Sequence, residues 1–544
     1  MALTKSHPRM IEGAGISVVD YGADPTGVAD STAAINTAVA ALTDNSKLIF
    51  PPGVYSYQSG VTSTSFDGLT NVAIVGYGAK IVQPVETTTG RVVTRKCLYI
   101  KNSVGVSVIG LSFYGNHLDT SAADNSYESG LSFEDCEDCL AFDCYAENVQ
   151  IGFIANSCDK MTISDCTTKT TRVGFQLGST TNSIVSSCIS DSAHYWPLGA
   201  TADEKSGGQG FLSDQSENCI ISACTSIRGG SECFRVQHST VGSKTNVSFV
   251  GCKSIDSRRY AYSIRSQAGF CSISGCETIG VGDPAIWDGS TYFEPNPSNV
   301  YAYLIDSVGS NNSLCGSKGL NIEDTGYGIY VTGAQENLKI SECTIEVPSG
   351  GQGLSQNAAI TGGSISDNVF EVTGTTGTPY ALNLANTLSG VVVKGNCITG
   401  GYDGIFMGGD ADDNVVCGNV ISNQMRHGIS CTGNRNVISE NNIKNVAQTV
   451  ATGAGIYLNG ASNVLGPNIV SDTQSPATLY RALWLSANAT DTVLGPVVEY
   501  GTSTGIRSDV AITASKTPLY GKGAAATDIG TLLTSLRAAA IIET

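Results

Sequence analysis

Residues 130–144 read GLSFEDCEDCLAFDC, residues 152–166 GFIANSCDKMTISDC, residues 174–188 GFQLGSTTNSIVSSC and residues 210–224 GFLSDQSENCIISAC. Each stretch opens with a glycine followed by Leu or Phe, and each closes on a cysteine at the same distance from that glycine. A residue type that recurs at one phase of a repeat occupies one column of a stack. The phase continues with small slips through Cys233 and Cys252, Ala261 and Cys276, and Gly328 and Cys343. Beyond Gly353 the starts recur near Ala381, Gly404, Gly428, Gly455, Ala482 and Gly505, so the period stays close to that of the earlier coils. Each unit carries short β-rich pieces, such as FIANS, KMTISDC and TTKTT, separated by Asn, Gly, Asp and Ser turns. One such unit cannot bury its apolar face alone. Stacked in parallel, about fifteen of them predict an all-β, right-handed parallel β-helix with rungs about 4.8 Å apart, a rod on the order of 70 Å long. A leucine-rich solenoid has this period too, but its Leu ladder is missing, whereas Asn396, Asn419 and Asn442 suit β-helix corners.

The composition narrows the function. Lys and Arg number 30 against 48 Asp and Glu, a formal net charge of −18, and a nucleic-acid binder needs a dense cationic surface. No apolar run of about 18 residues is present, so no membrane insertion is expected. The start MALTKSHPRM lacks the apolar stretch of a secretory signal, so a cytoplasmic origin is expected. In a reducing compartment the 18 cysteines are expected as a buried ladder of thiols rather than disulfides. Cys136 and Cys139 have the spacing of a zinc pair, but no second pair completes four ligands. No metal and no cofactor is expected.

Upstream, Asp30 can cap a short helix through STAAINTAVAALT, where Ala34, Ile35, Ala38, Val39 and Leu42 recur at helical spacing, and a strand follows at KLIFPPGVYSY. This segment reads as an α/β cap over the first coil, which would otherwise expose unpaired backbone. At the other end, Ile529, Leu532, Leu533, Leu536 and Ala540 fall on one helical face, and so short a helix is stable only when packed. It is expected to pack against copies of itself, or to plug the last coil of its own chain.

The element DYGADPTGVADSTAAI at residues 20–35, with PPGVY at 51–55, resembles the start of bacteriophage tailspikes of the pectate-lyase-like β-helix superfamily. The stacked coils and the C-terminal helix extend the resemblance over nearly the whole chain. It implies a virion tail protein, a homotrimer that binds and usually cleaves the surface polysaccharide of a host bacterium. It also implies docking on another tail protein through the N-terminus. The organisation expected is an anchoring peptide at 1–14, a cap at 15–100, the β-helix with its groove at 101–510, and a trimerisation element at 511–544. Folding in the host cytoplasm, followed by release on lysis, accords with reduced thiols.

No short catalytic motif stands in the chain, neither G-x-S-x-G nor H-E-x-x-H nor a P-loop. Asp412 and Asp413 precede His427, but the companions of the polygalacturonase pattern are missing, and the two acids read as turn residues. The site is therefore sought where polar groups cluster on one edge of the stack. In the middle coils that edge carries Asp214, Glu232, Arg235, Gln237, His238, Asp256, Arg258, Arg259 and Arg265. The coil from Gly174 to Gly210 is much longer than its neighbours, and its extra segment brings His194, Tyr195, Trp196, Asp203 and Glu204. A second insertion begins at Trp287.

Aromatic faces stack on sugar rings, Arg holds carboxylates in bidentate fashion, and carboxylates supply acid and base. Glu232 and Asp256, separated by roughly one coil of sequence, are expected on neighbouring rungs as general acid and base of a glycoside hydrolase, with Asp214 in reserve. Arg235, His238, Arg258, Arg259, Arg265, Tyr195, Trp196 and Trp287 are the expected substrate contacts. Seven cations between Arg228 and Arg265 suggest an anionic glycan, such as a uronate-containing capsule; the plainer reading makes them turn charges paired with Glu232 and Asp256. Two other functions stay open. A polysaccharide lyase would use His194, His238, Tyr195 or Arg258 for β-elimination, and a receptor-binding fibre would hold the glycan without cutting it.

Overall fold

The computed structural model describes residues 15–57, 66–83, 96–115, 129–193, 208–240, 244–282, 300–322, 326–348, 350–374, 378–449, 453–474, 479, 481–495, 497–500 and 506–508. The chain divides into two compact units, Met1–Pro297 and Ser298–Thr544. The expected anchoring peptide at 1–14 and trimerisation element at 511–544 lie outside the described residues.

From Ser129 to Val281 the described coils share one plan. A front strand, Ser129–Glu134, is followed by two short rear strands, Leu140–Phe142 and Tyr145–Glu147, before the next front strand begins at Ile151. Front strands stack in parallel, Leu131 on Phe153 and Phe153 on Phe175, and rear strands likewise, Leu140 on Thr162 and Tyr145 on Thr167. This is the right-handed parallel β-helix that the repeat predicted.

Two features of the sequence make the coil close. The first is interior stacking. Phe153, Phe175, Phe211, Phe234 and Tyr262 occupy one inward column, with ring centroids 4.8 to 5.2 Å apart and planes within 6° of parallel. The second is the corner between the rear strands. Asp143, Asp165, Ser187 and Ala223 take left-handed φ values of 52°, 55°, 53° and 51°. Each is followed by a buried cysteine: Cys144, Cys166, Cys188 and Cys224. A single left-handed residue turns the chain sharply and aims the next side chain inward, where only a small one fits. The thiol there also meets carbonyls that the bend strands: Cys188 Sγ lies 3.2 Å from Ser186 O and 3.6 Å from Ile163 O. All eighteen cysteines are thiols, and Cys315, Cys397 and Cys417 are the three not buried.

In the second unit the same corner position is taken by Ser317, by Cys343 and, from Asn368 onward, by asparagine. Gly395 and Gly418, at φ 67° and 65°, precede the fully buried Asn396 and Asn419. Asn441, and not the expected Asn442, continues this column: Asn441 is 1% exposed, whereas Asn442 begins the next strand on the outer surface. The slip has a simple cause, since Glu440 supplies the left-handed residue one position earlier than the phase suggests.

The N-terminal segment forms helix Thr32–Ala40, which buries Ile35, Ala38 and Val39. Asp30 accepts from the Thr32 N–H at 2.9 Å, but Ser31 is the capping position and makes no side-chain cap bond. The expected strand after the helix is two strands, Lys47–Ile49 and Gly53–Ser56, with Pro51 and Pro52 between them, because proline has no N–H to give the ladder. The acids of the opening motif build turns. Asp24 accepts from the N–H groups of Thr26 and Ala29 at 2.9 and 2.7 Å, and these bonds hold its carboxyl down at about 2.

Candidate functional site

Alternation along the front strands decides which side chains reach the outer face. Along Glu232–His238, Phe234 and Val236 enter the core, and Arg235 and Gln237 take the opposite face. Glu232 joins that outer pair because the ladder skips Cys233, whose thiol is buried, and so the alternation slips by one position there. In-register stacking then sets Arg235 between Leu212 and Ser263, and Gln237 between Asp214 and Arg265.

These residues form one continuous polar chain. Gln237 Nε2 donates to Asp214 Oδ1 at 2.9 Å, and Gln237 Oε1 accepts from Arg235 Nη2. Arg235 Nη1 donates to Glu232 Oε2 at 2.9 Å. Glu232 Oε1 receives Ser263 Oγ at 3.1 Å and lies 3.1 Å from Arg265 Nη1. The Arg265 guanidinium in turn sits 5.5 Å from the centre of the Tyr260 ring. Glu232 is 0% exposed, so its carboxylate is clamped beneath two guanidiniums, while Asp214 stays half-buried at the surface of the same face. A clamped carboxylate orients the arginines, while Asp214 also accepts from Gln215 Nε2 at 3.1 Å and keeps part of its surface exposed.

The structure does not bring together the acid and base expected from spacing. Asp256 lies on rear strand Lys253–Ser257 at a left-handed corner of φ 55°, and the rung neighbours of Glu232 are Gln209 and Tyr260. One full coil here runs from Glu232 to Tyr260, so Asp256 falls short of a complete turn and lands on another sheet. Asp214 is on the right face, but its rung partner Gln237 is five positions along the strand from Glu232, about 16 Å at about 3.3 Å per residue. That exceeds the separation of about 5 to 9.5 Å between the two carboxyl groups of a glycosidase.

Most of the local cations are paired. Arg228 meets Asp191 at 2.5 Å, Lys253 meets Glu277 at 3.0 Å, and Arg235 and Arg265 share Glu232. His238 is 6% exposed at the strand end, where Nδ1 accepts from the Thr240 N–H at 3.2 Å and Nε2 lies 3.8 Å from Glu217. Arg258 is buried and Arg259 half-buried in the connection that leads to strand Tyr260–Ser266. His194, Tyr195, Trp196, Asp203, Glu204 and Trp287 lie outside the described residues. Asp412 and Asp413 do form a turn, paired with Arg435.

Two further constellations were not singled out from sequence. On the front strand Lys96–Lys101, Tyr99 Oη donates to Glu134 Oε2 at 2.6 Å, and Lys96 and Lys101 each stand 3.4 Å from that carboxylate. Burial pushes the Lys96 amine down against the pull of Glu134. In the second unit Asp403, 0% exposed, receives Arg426 Nε at 2.9 Å and the His427 N–H at 3.0 Å. The alternating residues of KCLYIK and YDGIF carry both signals, had the outer-face reading been applied to every coil. Among the described residues no cluster of three or more His, Cys, Asp or Glu could hold a metal ion, and no helix is long and apolar enough to cross a membrane.

Residues 15–281 match the family described as rhamnogalacturonase A/epimerase, pectate lyase-like, and residues 305–473 match the right-handed β-helix region family. Solved structures similar to the chain include the N-terminal fragment of gene product 12 of bacteriophage Phi29, at 15% identity and a TM-score of 0.44 over 93% of both chains. PfbA, a surface adhesin of Streptococcus pneumoniae, is 13% identical with a TM-score of 0.40, covering 81% of this chain and 91% of that one. The catalytic unit of a thermostable α-1,3-glucanase from Streptomyces thermodiastaticus is 14% identical with a TM-score of 0.36, covering 81% of this chain and 65% of that one. No curated protein matches the sequence.

Proposed function

We propose that the chain is a phage tailspike that binds and cleaves bacterial surface polysaccharide by glycoside hydrolysis on the front face of its first unit. The observation that carries this reading is the polar chain from Asp214 through Gln237, Arg235 and Glu232 to Arg265, laid across three rungs of one face. Asp214 is the carboxylate with access to substrate, and it serves as acid or base at the glycosidic bond. Arg235 and Arg265, fixed by Glu232, present donors to sugar hydroxyls or to a sugar carboxylate. Asp203 and Glu204, which precede the Asp214 strand in sequence, are the candidates for the second carboxylate. Assembly as a homotrimer and attachment to another tail protein belong to the same proposal. A lyase is the second reading, favoured by the gathering of Tyr99, Lys96 and Lys101 around Glu134, residue types that serve as base and as carboxylate partners in β-elimination.

The test incubates the purified protein with capsular and O-antigen polysaccharides, following reducing ends together with the ultraviolet absorbance of an unsaturated uronate. Reducing ends without absorbance, lost in Asp214→Asn and kept in Asp256→Asn, is the expected result. Absorbance rising with reducing ends makes the protein a lyase, and binding without either signal makes it a receptor-binding fibre.

A further inference from the structure

The outer face of the second unit's front ladder has a different chemistry. Register places Tyr330 next to Ser355, Ser355 next to Asn383, and Asn383 next to Phe406. The column continues from Phe406 to Ser430, then to Tyr457 and to Trp484. The four rings are half-buried, while Ser355 and Ser430, 6% and 2% exposed, lie recessed between them. With rungs about 4.8 Å apart, Tyr330 and Phe406 stand three rungs apart and Phe406 and Tyr457 two, with polar residues between them, while Tyr457 and Trp484 sit on adjacent rungs.

A second ring stacks on three of these four, half-buried at Tyr327 and Tyr380 and buried, at 4% exposed, at His427. Tyr327 stacks on Tyr330 at 4.7 Å, Tyr380 on Phe406 at 5.0 Å, and His427 on Tyr457 at 5.0 Å. Guanidiniums border them, with Arg426 over Tyr402 at 4.5 Å and Arg481 over Trp484 at 4.7 Å. Asp403 compensates Arg426. In the first unit the corresponding outward column from Ile154 runs through Gln176, Leu212, Arg235 and Ser263, with no ring among them. Upstream the same column passes through Ser132 to Tyr99, the single ring it carries among the described residues of the first unit, so rings recur along it only in the second.

We infer that this face is a binding platform for an uncharged pyranose polysaccharide running along the ladder. Half-exposed rings offer the negative π face that the C–H-bearing face of a pyranose seeks, and the recessed Ser and Asn side chains offer partners to its hydroxyls. Tyr330, Phe406 and the adjacent Tyr457 and Trp484 are spread over several rungs, so only a polymer is long enough to engage all of them at once. The platform needs no carboxylate on the sugar, and it is independent of cleavage in the first unit.

Affinity electrophoresis of the full chain tests it, in native gels containing dextran, laminarin or galactomannan, with polygalacturonate as the charged comparison. The expected result is retardation by at least one neutral polysaccharide. Trp484→Ala and Phe406→Ala should each weaken it by about tenfold, the order that loss of one stacking platform produces, while Tyr77→Ala, which removes an exposed ring of the first unit, leaves it unchanged. Circular dichroism and a cooperative melt confirm that the variants fold. Retardation by none of the neutral polymers, or retardation that both variants retain, overturns the inference. If instead both variants change the oligomeric state in sedimentation and not the retardation, the face is an interface between copies and the inference also fails.

Discussion

Asn396 and Asn419 stack at the corner of consecutive coils so that one side chain completes the other. Asn396 Nδ2 donates to Asn419 Oδ1 at 2.9 Å, and the same oxygen accepts the Asn396 backbone N–H at 3.0 Å. Asn419 repeats this with Asn441, at 2.9 and 3.1 Å, and Asn441 with Asn468. Each amide also donates to a carbonyl stranded at the bend, as Asn419 Nδ2 does to Val393 O at 3.1 Å. The polar groups of the corner are thereby satisfied by the coil above or below.

Asn419→Ala removes the acceptor for two Asn396 donors and the donor to the Val393 carbonyl and the Asn441 amide oxygen. At about 1 to 3 kcal/mol for each buried group left unsatisfied, the loss is on the order of 3 kcal/mol. Equilibrium urea unfolding should show it as a lower midpoint with an unchanged slope. A midpoint within error of wild type would mean that a water or a shifted neighbour replaces the amide.

The thiol column predicts a sharp division in reactivity. A thiol reagent added to the native protein should modify Cys397 first and Cys315 and Cys417 more slowly, with the fifteen buried cysteines protected. Denaturation without reductant should then expose the remaining fifteen, for a total of eighteen. A titre well below that number after denaturation would place disulfides in the ladder.

Glu232 is expected to matter for folding as much as for activity. Glu232→Ala leaves Arg235 and Arg265 beside an empty acceptor site, at a cost of about 3 kcal/mol, because the desolvation of a buried pair is no longer offset. A triple variant with Arg235→Met and Arg265→Met should recover most of that stability. If the single variant is as stable as wild type, the carboxylate is not clamped in solution.

His427 gives the second unit an acid sensitivity with a defined sign. Burial lowers its imidazole from the usual 6.5 to about 4, and Nδ1 accepts the Ala454 N–H at 3.0 Å, so the folded chain holds the ring neutral. The unfolded chain binds the proton first as pH falls. The stabilisation is present in full above pH 6.5 and is lost progressively between 6.5 and about 4, by roughly 3 kcal/mol in total. The difference in melting temperature between wild type and His427→Gln, followed across that interval, should shrink or reverse toward the acid end. A constant difference would contradict a neutral buried ring.

The amino-acid sequence alone dictates the coil. Glycine starts, inward aromatics and a small residue after each left-handed corner recur at one phase, and a local pattern that must bury the same face in every repeat admits only stacking. It also determined that Cys144 through Cys276 sit inside, because corner and ladder are both local consequences of one residue's φ and the next one's size. It could not determine which acids meet. Glu232 and Asp256 look like rung neighbours by their spacing, yet coil length varies with each corner and loop, and only the summed register sets Glu232 against Tyr260 and Asp256 on another sheet. The aromatic shelf from Tyr330 to Trp484 was written in alternate residues of successive coils. Its meaning as one surface came only with the parallel, in-register ladder that lines those residues up.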